Sequence, residues 1–395
     1  MEYIVRVGVF VNTPAQVHFY KNIISVLRER GNDIYLLARD YGETIALLNE
    51  MNLEHYIYSR PPNSKYGKVF MLPFDVIKAY NYLKKLDIDI VTGFGTYDAY
   101  TSTLLRVPSV SFNDSEPSAN NKSYAIQLEL YLPFVAVLIT PDSFRQDMGS
   151  KHVRISAYKE MAYLHPKYYQ PRDNIFDLLG LERGDEYAIL RFNAFDAVHD
   201  YSIKGFNDEE KIELVKRLDN YIKVFISSEA GIPKELKRYL VRIPKSRIHD
   251  ALYYAKLLVT DTQTMATEGA ILGTPTIRCN KFVGENDMGN FIELEKKYHL
   301  MFNYSDPKEA INKAIELSRS NELKQQWQKR RKGLIEEKID LVKFMAWVLE
   351  NYQHVKDKTN LVQLFGQYTL RLDEPDWRQG MNKDAVHEPT KSFSS

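Results

Sequence analysis

Residues 257–277, with the sequence LLVTDTQTMATEGAILGTPTI, decide the fold class of this chain. The apolar run at 257–259 is typical of a buried strand, and a polar turn at 260–262 follows it. The next segment is compatible with a helix, and a Gly-Thr-Pro turn at 273–275 leads into a second short apolar run. A strand, a turn, a helix and a strand in this order form the unit of a parallel sheet that places a ligand at the carboxyl ends of the strands.

The polar residues of this unit are candidate ligands of a nucleotide. Thr262, Gln263 and Thr264 lie where the N-terminus of the helix would offer free N–H groups to a phosphate. Glu268 lies one turn further along, where a carboxylate could hold the two hydroxyls of a ribose. The alternative is an ordinary βαβ crossover, with Thr262 as the N-cap and Glu268 as a solvated helix residue.

Length and composition predict a globular protein with two domains. At 395 residues the chain exceeds what one hydrophobic core usually supports, and its 44% hydrophobic and 27% charged residues are ordinary proportions. The net charge of +1 argues against nucleic acid as a partner. The single cysteine, Cys279, excludes a disulfide framework and a cysteine-based metal site. No apolar run is long enough to span a membrane and no signal peptide is recognisable, so we expect a soluble, cytoplasmic protein.

Both halves alternate short apolar runs with amphipathic helical patterns, which predicts two parallel sheets. Residues 165–174 contain two prolines and little periodicity, so we expect them to link the domains. Residues 306–352 are nearly all helical in pattern, and the polar chain from 357 onwards is expected to be largely disordered. The strand candidates are residues 4–11, 34–38, 88–92, 109–112 and 135–139 in the first half and 187–192, 221–227, 240–243, 257–260 and 274–278 in the second.

Polar clusters follow two other strand candidates. Asp114 and Glu116 come directly after the fourth strand candidate, where a pair of carboxylates could act as general acid and base. The alternative is a simple turn, because Asn, Asp and Ser are common turn residues. Arg191, His199 and Lys204 lie at and after the first strand candidate of the second half, and their cationic side chains could face a diphosphate. The motifs of zinc metalloproteases, P-loop nucleotidases and α/β-hydrolases are missing from the sequence.

Four stretches of the sequence together resemble one protein family. They are NTPAQVHFYKNII with the later ARDYGET, VPSVSFNDSEPS, YKEMAYLHPKYYQP running into LRFNAFDAVHDYSIKGF, and RIHDALYYAKLLVTDTQTMATEGAILGTPTIRCNKFVG. Spread over residues 4–305, they are similar to an uncharacterised archaeal and bacterial family, a domain of unknown function of the GT-B superfamily. This family stands beside the lipid II-forming N-acetylglucosaminyltransferase and the non-hydrolysing UDP-N-acetylglucosamine 2-epimerases.

The resemblance implies an α/β protein of GT-B architecture. In this architecture two Rossmann-like domains with parallel sheets face each other across a cleft, and C-terminal helices cross back to the first domain. The predicted domains are an acceptor-side domain at residues 1–164, a linker at 165–174, a nucleotide-binding domain at 175–320, C-terminal helices at 321–356 and a polar tail at 357–395.

The resemblance also implies roles for residues of the second domain. Glu268 matches the carboxylate that binds the ribose, and Ile248 matches the position whose backbone reads the base. Residues Asp261 to Thr264 match the turn near the diphosphate. In the transferases this turn is rich in glycine and begins with serine, whereas this chain has Asp-Thr-Gln-Thr.

In the first domain, the resemblance concerns the catalytic groups. The lipid II transferase has a Gly-Gly-His motif after its first strand, and Gln16 occupies the place of that histidine, with His18 two residues later. Glu116 corresponds roughly to an acidic residue of the cleft in both related enzyme groups, so it is the preferred acid or base, with His18 as the other candidate.

We therefore expect a glycosyltransferase-like enzyme that uses a nucleotide-activated sugar, UDP-linked, in glycan or polysaccharide biosynthesis, with a glycan or a lipid-linked molecule as acceptor. No cofactor or metal is expected, because helix N-termini and cationic side chains can stabilise the departing diphosphate. One alternative is a UDP-sugar 2-epimerase that uses Asp114 and Glu116, and another is an inactive sugar-nucleotide-binding protein. The basic cluster at 329–332 is expected to be a solvated helix face, with contact to an anionic membrane surface as the alternative.

Overall fold

The computed structural model of this protein describes residues 4–60, 65–117, 122–192, 205–228, 231–355 and 360–372. The described residues form two parallel sheets flanked by helices, as the alternating pattern predicts. The main hydrophobic core contains buried side chains from both halves of the chain. Among the described helices, none is both long enough and apolar enough to cross a lipid bilayer.

The first sheet has seven strands, which lie in the spatial order β3-β2-β1-β4-β5-β6-β7 and pair in parallel throughout. The strands are β1 (Arg6–Val11), β2 (Asp33–Arg39), β3 (Tyr56–Ser59), β4 (Ile90–Gly93), β5 (Ser109–Phe112), β6 (Val137–Pro141) and β7 (His152–Ile155). The helices between and after them are α1 (Pro14–Glu29), α2 (Thr44–Glu50), α3 (Lys65–Leu83), α4 (Tyr97–Leu105), α5 (Lys122–Tyr131) and α6 (Met161–Leu164).

The first helix shows how local sequence sets these elements. Thr13 is extended at the N-cap of α1 and Pro14 occupies the first helical position, where the missing N–H has no intrahelical partner to lose. The side-chain oxygen of Gln16 accepts a hydrogen bond of 2.7 Å from the backbone N–H of Asn12 and so holds the end of β1 to the helix. The apolar side chains of α1, which include Val17, Ile24 and Leu27, are buried against the sheet.

The second sheet has five parallel strands, in the spatial order β12-β11-β10-β8-β9. The strands are β8 (Tyr187–Phe192), β9 (Lys223–Ser228), β10 (Leu257–Thr260), β11 (Thr276–Cys279) and β12 (Met301–Tyr304). Its helices are α7 (Ile175–Leu179), α8 (Asp208–Leu218), α9 (Ile248–Tyr254), α10 (Gln263–Leu272), α11 (Gly289–Lys296) and α12 (Pro307–Ser318). The unit β10-α10-β11 is therefore the βαβ unit that residues 257–277 predict.

The C-terminal helices are α13 (Leu323–Glu337), α14 (Leu341–Asn351) and α15 (Leu361–Leu372). The chain passes from the second domain back to the first, because the carboxylate of Glu350 on α14 accepts hydrogen bonds from Arg30 (2.6 Å) and Asn32 (2.9 Å). Beside this crossing, the buried ammonium of Lys338 lies 3.0 Å from Asp142 of the first domain and 3.0 Å from Glu293 of the second. The expected return of the C-terminal helices to the first domain is confirmed.

The basic cluster at 329–332 lies on α13, and its two arginines have partners within the protein. Arg331 donates a hydrogen bond of 2.7 Å to the carbonyl of Ile271 near the end of α10, and Arg330 donates one of 2.8 Å to the carbonyl of His299. Half of this cluster therefore holds α13 against the second domain. Contact with a membrane surface stays a prediction.

Two details of the fold differ from the sequence-based expectation. Residues 240–243 do not form a strand: a 3₁₀ helix ends at Tyr239, and Leu240 makes only an isolated bridge to Ile226 before Pro244. The short strands β3, β7 and β12 were not predicted from their sequences. The tail contains the helix α15, in which Leu361 and Phe365 are buried, and the expectation that the chain from 357 onwards is largely disordered stays a prediction. The domain limits, including the linker at 165–174, stay a prediction.

In each sheet the strand order reverses at one point. In the first sheet the chain moves outwards from β1 in one direction and from β4 in the other, and in the second the corresponding neighbours are β8 and β10. Ligands of open parallel sheets bind in the crevice that forms at the carboxyl ends of such neighbouring strands. The candidate site residues follow these four strands and the adjacent β5.

Candidate functional site

A cavity of about 260 Å³ lies between the two domains at the carboxyl ends of the strands. The first domain supplies most of its wall, and Thr264 of the second domain closes it from the opposite side. The polar residues of the wall are Thr13, Gln16, Asn113, Asp114, Ser115, Gln127, Lys159 and Thr264. The cavity therefore brings together candidates that the sequence places in different domains.

The second-domain side of the cavity is the N-terminus of α10. Thr262 is extended at the N-cap, and its N–H and hydroxyl are both held by the hydroxyl oxygen of Thr260, at 3.0 and 2.8 Å. Gln263 and Thr264 are the first two helical residues, and their N–H groups have no partner within the helix itself. The end of α10 that carries partial positive charge thus faces the cavity.

Two further candidate residues, Asp261 and Arg191, connect the turn before α10 to the second sheet. Asp261 is buried, and its N–H donates a hydrogen bond of 3.3 Å to the carbonyl of Arg191 on the neighbouring strand β8. The guanidinium of Arg191 donates a hydrogen bond of 2.8 Å to the hydroxyl of Ser227 on β9. Asp261 and Arg191 therefore lie at the switch point of the second sheet, beside the N-terminus of α10.

Glu268 lies in the interface between the domains, within a buried cluster of aromatic rings. Its Oε1 accepts a hydrogen bond of 2.8 Å from the hydroxyl of Tyr163 on α6, and it lies 3.0 Å from Nε2 of His249 on α9. Burial alone would raise the pKa of Glu268, but His249, Tyr163 and His18 together outweigh burial and lower it. Glu268 is therefore an ionised carboxylate that already has one donor from each domain.

His18 belongs to the same cluster. Its ring stacks on Tyr163 at 5.3 Å between centroids and meets the ring of His249 edge-on at 5.0 Å. Burial, reinforced by His249 and Lys21, lowers the pKa of His18 to about 3, so the ring is neutral at neutral pH. Its Nδ1 is buried and makes no hydrogen bond with any described residue. A neutral imidazole next to the ribose candidate can accept a hydrogen bond, and its lowered pKa makes it a weak base.

Glu116 is engaged in a bridge between the domains. Its Oε1 accepts a hydrogen bond of 2.7 Å from the N–H of Arg145, and its Oε2 accepts one of 2.7 Å from the N–H of Gly289 at the start of α11. The guanidinium of Arg145 continues the bridge to the carbonyls of Glu285 (3.2 Å) and Asp287. We call this set the Glu116–Arg145 bridge. With both oxygens occupied and only 4% of the residue exposed, Glu116 is in the position of a structural group.

Asp114, in contrast, reaches the cavity. Its Oδ2 lies 2.5 Å from the ammonium of Lys159, which lies 3.4 Å from the carboxylate of Glu160. Burial opposes the charge on Lys159, but the two carboxylates outweigh it and raise the pKa of Lys159. In the same triad, burial raises the pKa of Glu160. The ammonium of Lys159 stays charged and lies next to Asp114, the carboxylate that faces the cavity.

The remaining predicted site residues have different outcomes. Ile248 is the first residue of α9 and is half-buried against the core. His199 and Lys204 lie outside the described residues. Among the residues that are described, no group of three or more His, Cys, Asp or Glu side chains is arranged to hold a metal ion.

Sequence reasoning missed Lys159, Tyr163, His249 and Arg145. The first three lie within stretches that carry the family resemblance, but each is a single polar residue without a local pattern. Their partners are 45 residues away for Lys159 and 105 for Tyr163. Only a contact between the domains identifies Tyr163 as a site residue.

A family model described as "Protein of unknown function (DUF354)" matches residues 6–353. The chain belongs to this family. A curated relative is the "Uncharacterized protein MJ0665" of Methanocaldococcus jannaschii, which is 25% identical over 320 residues, 76% of this chain and 88% of that protein.

Solved structures with the fold of this DUF354 chain include UDP-N-acetylglucosamine 2-epimerases and glycosyltransferases. The complex of Staphylococcus aureus MnaA with UDP has a TM-score of 0.65, and its sequence is 10% identical, with 89% of this chain and 97% of that chain covered. MurG of Acinetobacter baumannii has a TM-score of 0.53 and 13% identity, with 88% and 99% covered. These similarities show that the two domains adopt the GT-B fold.

Proposed function

We propose that this protein is a glycosyltransferase-like enzyme that transfers a sugar from a UDP-linked donor in glycan or polysaccharide biosynthesis. The observation that carries the proposal is the cavity between the domains, where Thr264 at the N-terminus of α10 faces Asp114 and Lys159 of the first domain. One wall offers donors to a departing diphosphate, and the other offers a base to an attacking hydroxyl.

In the proposed reaction the second domain holds the nucleotide. The free N–H groups of Gln263 and Thr264 would bind the diphosphate, where negative charge grows as the bond to the sugar breaks. Arg191 lies at the same switch point and would add positive charge to that side. Glu268 would hold the ribose hydroxyls, and Ile248 would contact the base through its backbone. His199 and Lys204 stay candidates for the diphosphate, and no cofactor or metal takes part in this scheme.

In the first domain, the structure favours Asp114 over Glu116 as the base that deprotonates the acceptor hydroxyl. Asp114 lines the cavity, whereas both oxygens of Glu116 accept backbone hydrogen bonds inside the Glu116–Arg145 bridge. Lys159 would then keep Asp114 oriented towards the cavity. His18 is the second candidate, since its neutral ring lies one ring away from Glu268.

A 2-epimerase is the second candidate function, and an inactive binder is the third. The epimerase mechanism needs two carboxylates in the cleft, Asp114 and Glu116, for proton removal and elimination of UDP. Only Asp114 reaches the cavity in the arrangement described, which favours the transferase. For the acceptor we propose only its chemical class, a glycan or a lipid-linked molecule.

Calorimetric titration with UDP tests the nucleotide half of the proposal. We expect saturable binding by the wild-type protein and binding at least about tenfold weaker after Glu268→Gln, because a charged acceptor of ribose hydroxyls is lost. Glu186→Gln is the control, since that carboxylate is half-exposed in the same domain and pairs with Lys256. Absence of UDP binding, or equal affinities of wild type and Glu268→Gln, would show the assignment to be wrong.

Incubation with UDP-N-acetylglucosamine in the absence of an acceptor separates the candidate functions. An epimerase produces a new sugar nucleotide, which NMR of the anomeric protons detects. A transferase leaves the donor intact apart from slow hydrolysis to UDP. An inactive binder retains UDP affinity and shows neither product, and in that case Asp114→Asn has no effect on the reaction mixture.

A further inference from the structure

A second polar site lies in the first domain, next to the cavity, and the proposed nucleotide chemistry does not use it. Arg39 is the last residue of β2, and its neighbour Ala38 pairs with Val11 at the end of β1. Arg39 therefore stands at the edge of the sheet where ligands bind, one strand beyond the strands that line the cavity.

The guanidinium of Arg39 interacts electrostatically with the buried carboxylate of Asp75 on α3, but no acceptor is bonded to it directly among the described residues. It makes no hydrogen bond and no ion pair with any residue that the structure describes, and its Nε is buried without an acceptor. It lies instead between two aromatic rings, 5.3 Å from the centroid of Tyr41 and 5.6 Å from that of Tyr97. Rings hold a guanidinium in place but leave its N–H groups unsatisfied, and buried donors of this kind are rare unless a ligand completes them.

A second polar side chain, Asn12, lies in the same cluster as Arg39. Asn12 is buried, its side-chain oxygen accepts a hydrogen bond from Tyr58, and its side-chain nitrogen donates none to any described residue. Tyr58 in turn packs edge-on against Tyr97 at 5.3 Å. Asn12 and Arg39 are thus the open donors of one connected cluster at the carboxyl ends of β1 and β2.

The backbone below this cluster is strained. Thr96, directly before Tyr97, has φ +62 and ψ −84, a conformation that a β-branched residue adopts only when the surrounding structure imposes it. Such strain is concentrated at ligand sites, where it fixes a side chain in an orientation needed for binding. Here it fixes the ring that faces Arg39.

The second domain reaches over this edge. Lys245 forms an ion pair with Glu43, which lies four residues after Arg39 in the loop that follows β2. A molecule bound at Arg39 would therefore lie close to a contact between the two domains. The charge of Lys245 is balanced by Glu43, and Asp75 offsets part of the charge of Arg39, so the feature that suits an anion is the buried Nε–H of Arg39, which has no acceptor among the described residues.

We propose that Arg39 and Asn12 form an oxyanion subsite for the acceptor, which would carry a phosphate or a carboxylate. This proposal rests on the proposed function, since it assigns the acceptor side of the same cleft. A guanidinium binds both oxyanions through paired hydrogen bonds. Three strand spacings separate β2 from β5, so the oxyanion would bind about 14 Å from the reacting hydroxyl at Asp114. The acceptor is therefore longer than a single sugar ring.

Calorimetric titration tests this subsite with two probes, inorganic pyrophosphate and glucuronate, in the presence of saturating UDP to fill the nucleotide half. We expect wild type to bind one or both probes, and Arg39→Gln to bind them about 10- to 100-fold more weakly, as expected for the loss of charge-assisted hydrogen bonds. Arg39→Lys, which keeps the charge but not the planar fork, should lie between them. Binding of pyrophosphate alone identifies a phosphate, and binding of glucuronate alone identifies a carboxylate.

Arg60→Gln is the matched control, because Arg60 is exposed at the end of the neighbouring strand β3 and pairs with Asp40. The melting temperature of each variant shows whether it is folded. The subsite is refuted if wild type binds neither probe, or if Arg39→Gln and Arg60→Gln bind the probes equally. UDP affinity, measured on the same samples, reports on the nucleotide site. Loss of probe binding in Arg39→Gln without any UDP binding to wild type would support the subsite and refute the proposed function.

Discussion

The two domains are in close backbone contact at Gly289, and Gly289→Ala tests how they are held together. An ideal Cβ at this position would lie 1.8 Å from the carbonyl oxygen of Ser143 in the first domain. Backbone atoms on both sides are involved, so no side-chain rotation can relieve the overlap. To reach ordinary contact distance, the two backbones must separate by about 1.6 Å at this point.

The separation breaks the Glu116–Arg145 bridge. The 2.7 Å hydrogen bond from Gly289 to Glu116 would lengthen beyond bonding range, and the bonds from Arg145 to Glu285 and Asp287 lie in the same loop. A hydrogen bond to a charged group contributes about 1.5–3 kcal/mol, and alanine regains about 1 kcal/mol of helix propensity over glycine in α11. The net expectation is a loss of about 2–4 kcal/mol in the free energy of unfolding.

Thermal unfolding measures this loss, and we expect the melting temperature to fall by about 2–5 °C. The matched control is Gly333→Ala in α13, where an added Cβ meets no atom within 4 Å. That variant should be slightly more stable than wild type, because alanine is the better helix former. If Gly289→Ala raises the melting temperature as Gly333→Ala does, the bridge does not hold the domains. Small-angle scattering should show a larger radius of gyration only for Gly289→Ala.

Three other substitutions give separate tests. Asp114→Asn should lower kcat about 100-fold or more while UDP affinity is unchanged, because a general base is lost; unchanged kcat in a transferase assay would exclude that role. Tyr163→Phe should tighten UDP binding about 2- to 10-fold in calorimetry, since the phenol no longer competes with the ribose for Glu268, and weaker binding would contradict that competition. The folded pKa of His18, about 3, lies below its ordinary 6.5, so its contribution is complete above pH 6.5 and falls by at most roughly 1.4 kcal/mol per pH unit below it. Urea unfolding of His18→Gln should therefore lose stability less steeply than wild type between pH 6.5 and 4.5, and parallel curves would refute the burial of the ring.

The fold was predictable because most of its strands are short apolar runs with clear turn residues at their ends. The runs at 109–112, 187–192 and 257–260 coincide with β5, β8 and β10. The run at 240–243 has the same apolar character but forms no strand, since only Leu240 finds a partner, on the edge strand β9. The amphipathic pattern of 361–372 was hidden within a polar tail, and its order depends on packing of Phe365 against Phe344 and Trp347.

The candidate site was predictable only in part. A turn before a helix N-terminus is a local feature, so the place of Thr262 and Gln263 followed from the sequence. Whether a carboxylate is free to act in catalysis depends on which groups pack against it. Nothing near Glu116 in the sequence indicates that the N–H of Gly289, 173 residues away, donates a hydrogen bond to it. Asp114 and Glu116 look equivalent in the sequence, but folding directs one towards the cavity and the other into the domain interface.

Two of the carboxylates that the sequence singles out as cleft residues, Glu116 and Glu268, accept hydrogen bonds from the opposite domain. Glu116 binds the N–H of Gly289, and Glu268 binds the hydroxyl of Tyr163. A ribose hydroxyl that approaches Glu268 Oε1 must therefore replace a bond that holds the domains together. If nucleotide binding breaks a bond of the interface, binding and separation of the domains are coupled. A variant that weakens the interface should therefore bind UDP more tightly, provided that the substituted residue does not itself contact the nucleotide. Gly289→Ala and Tyr163→Phe break different bonds of this interface, so a rise in UDP affinity in both would show that the competition acts through the interface and not through Tyr163 alone.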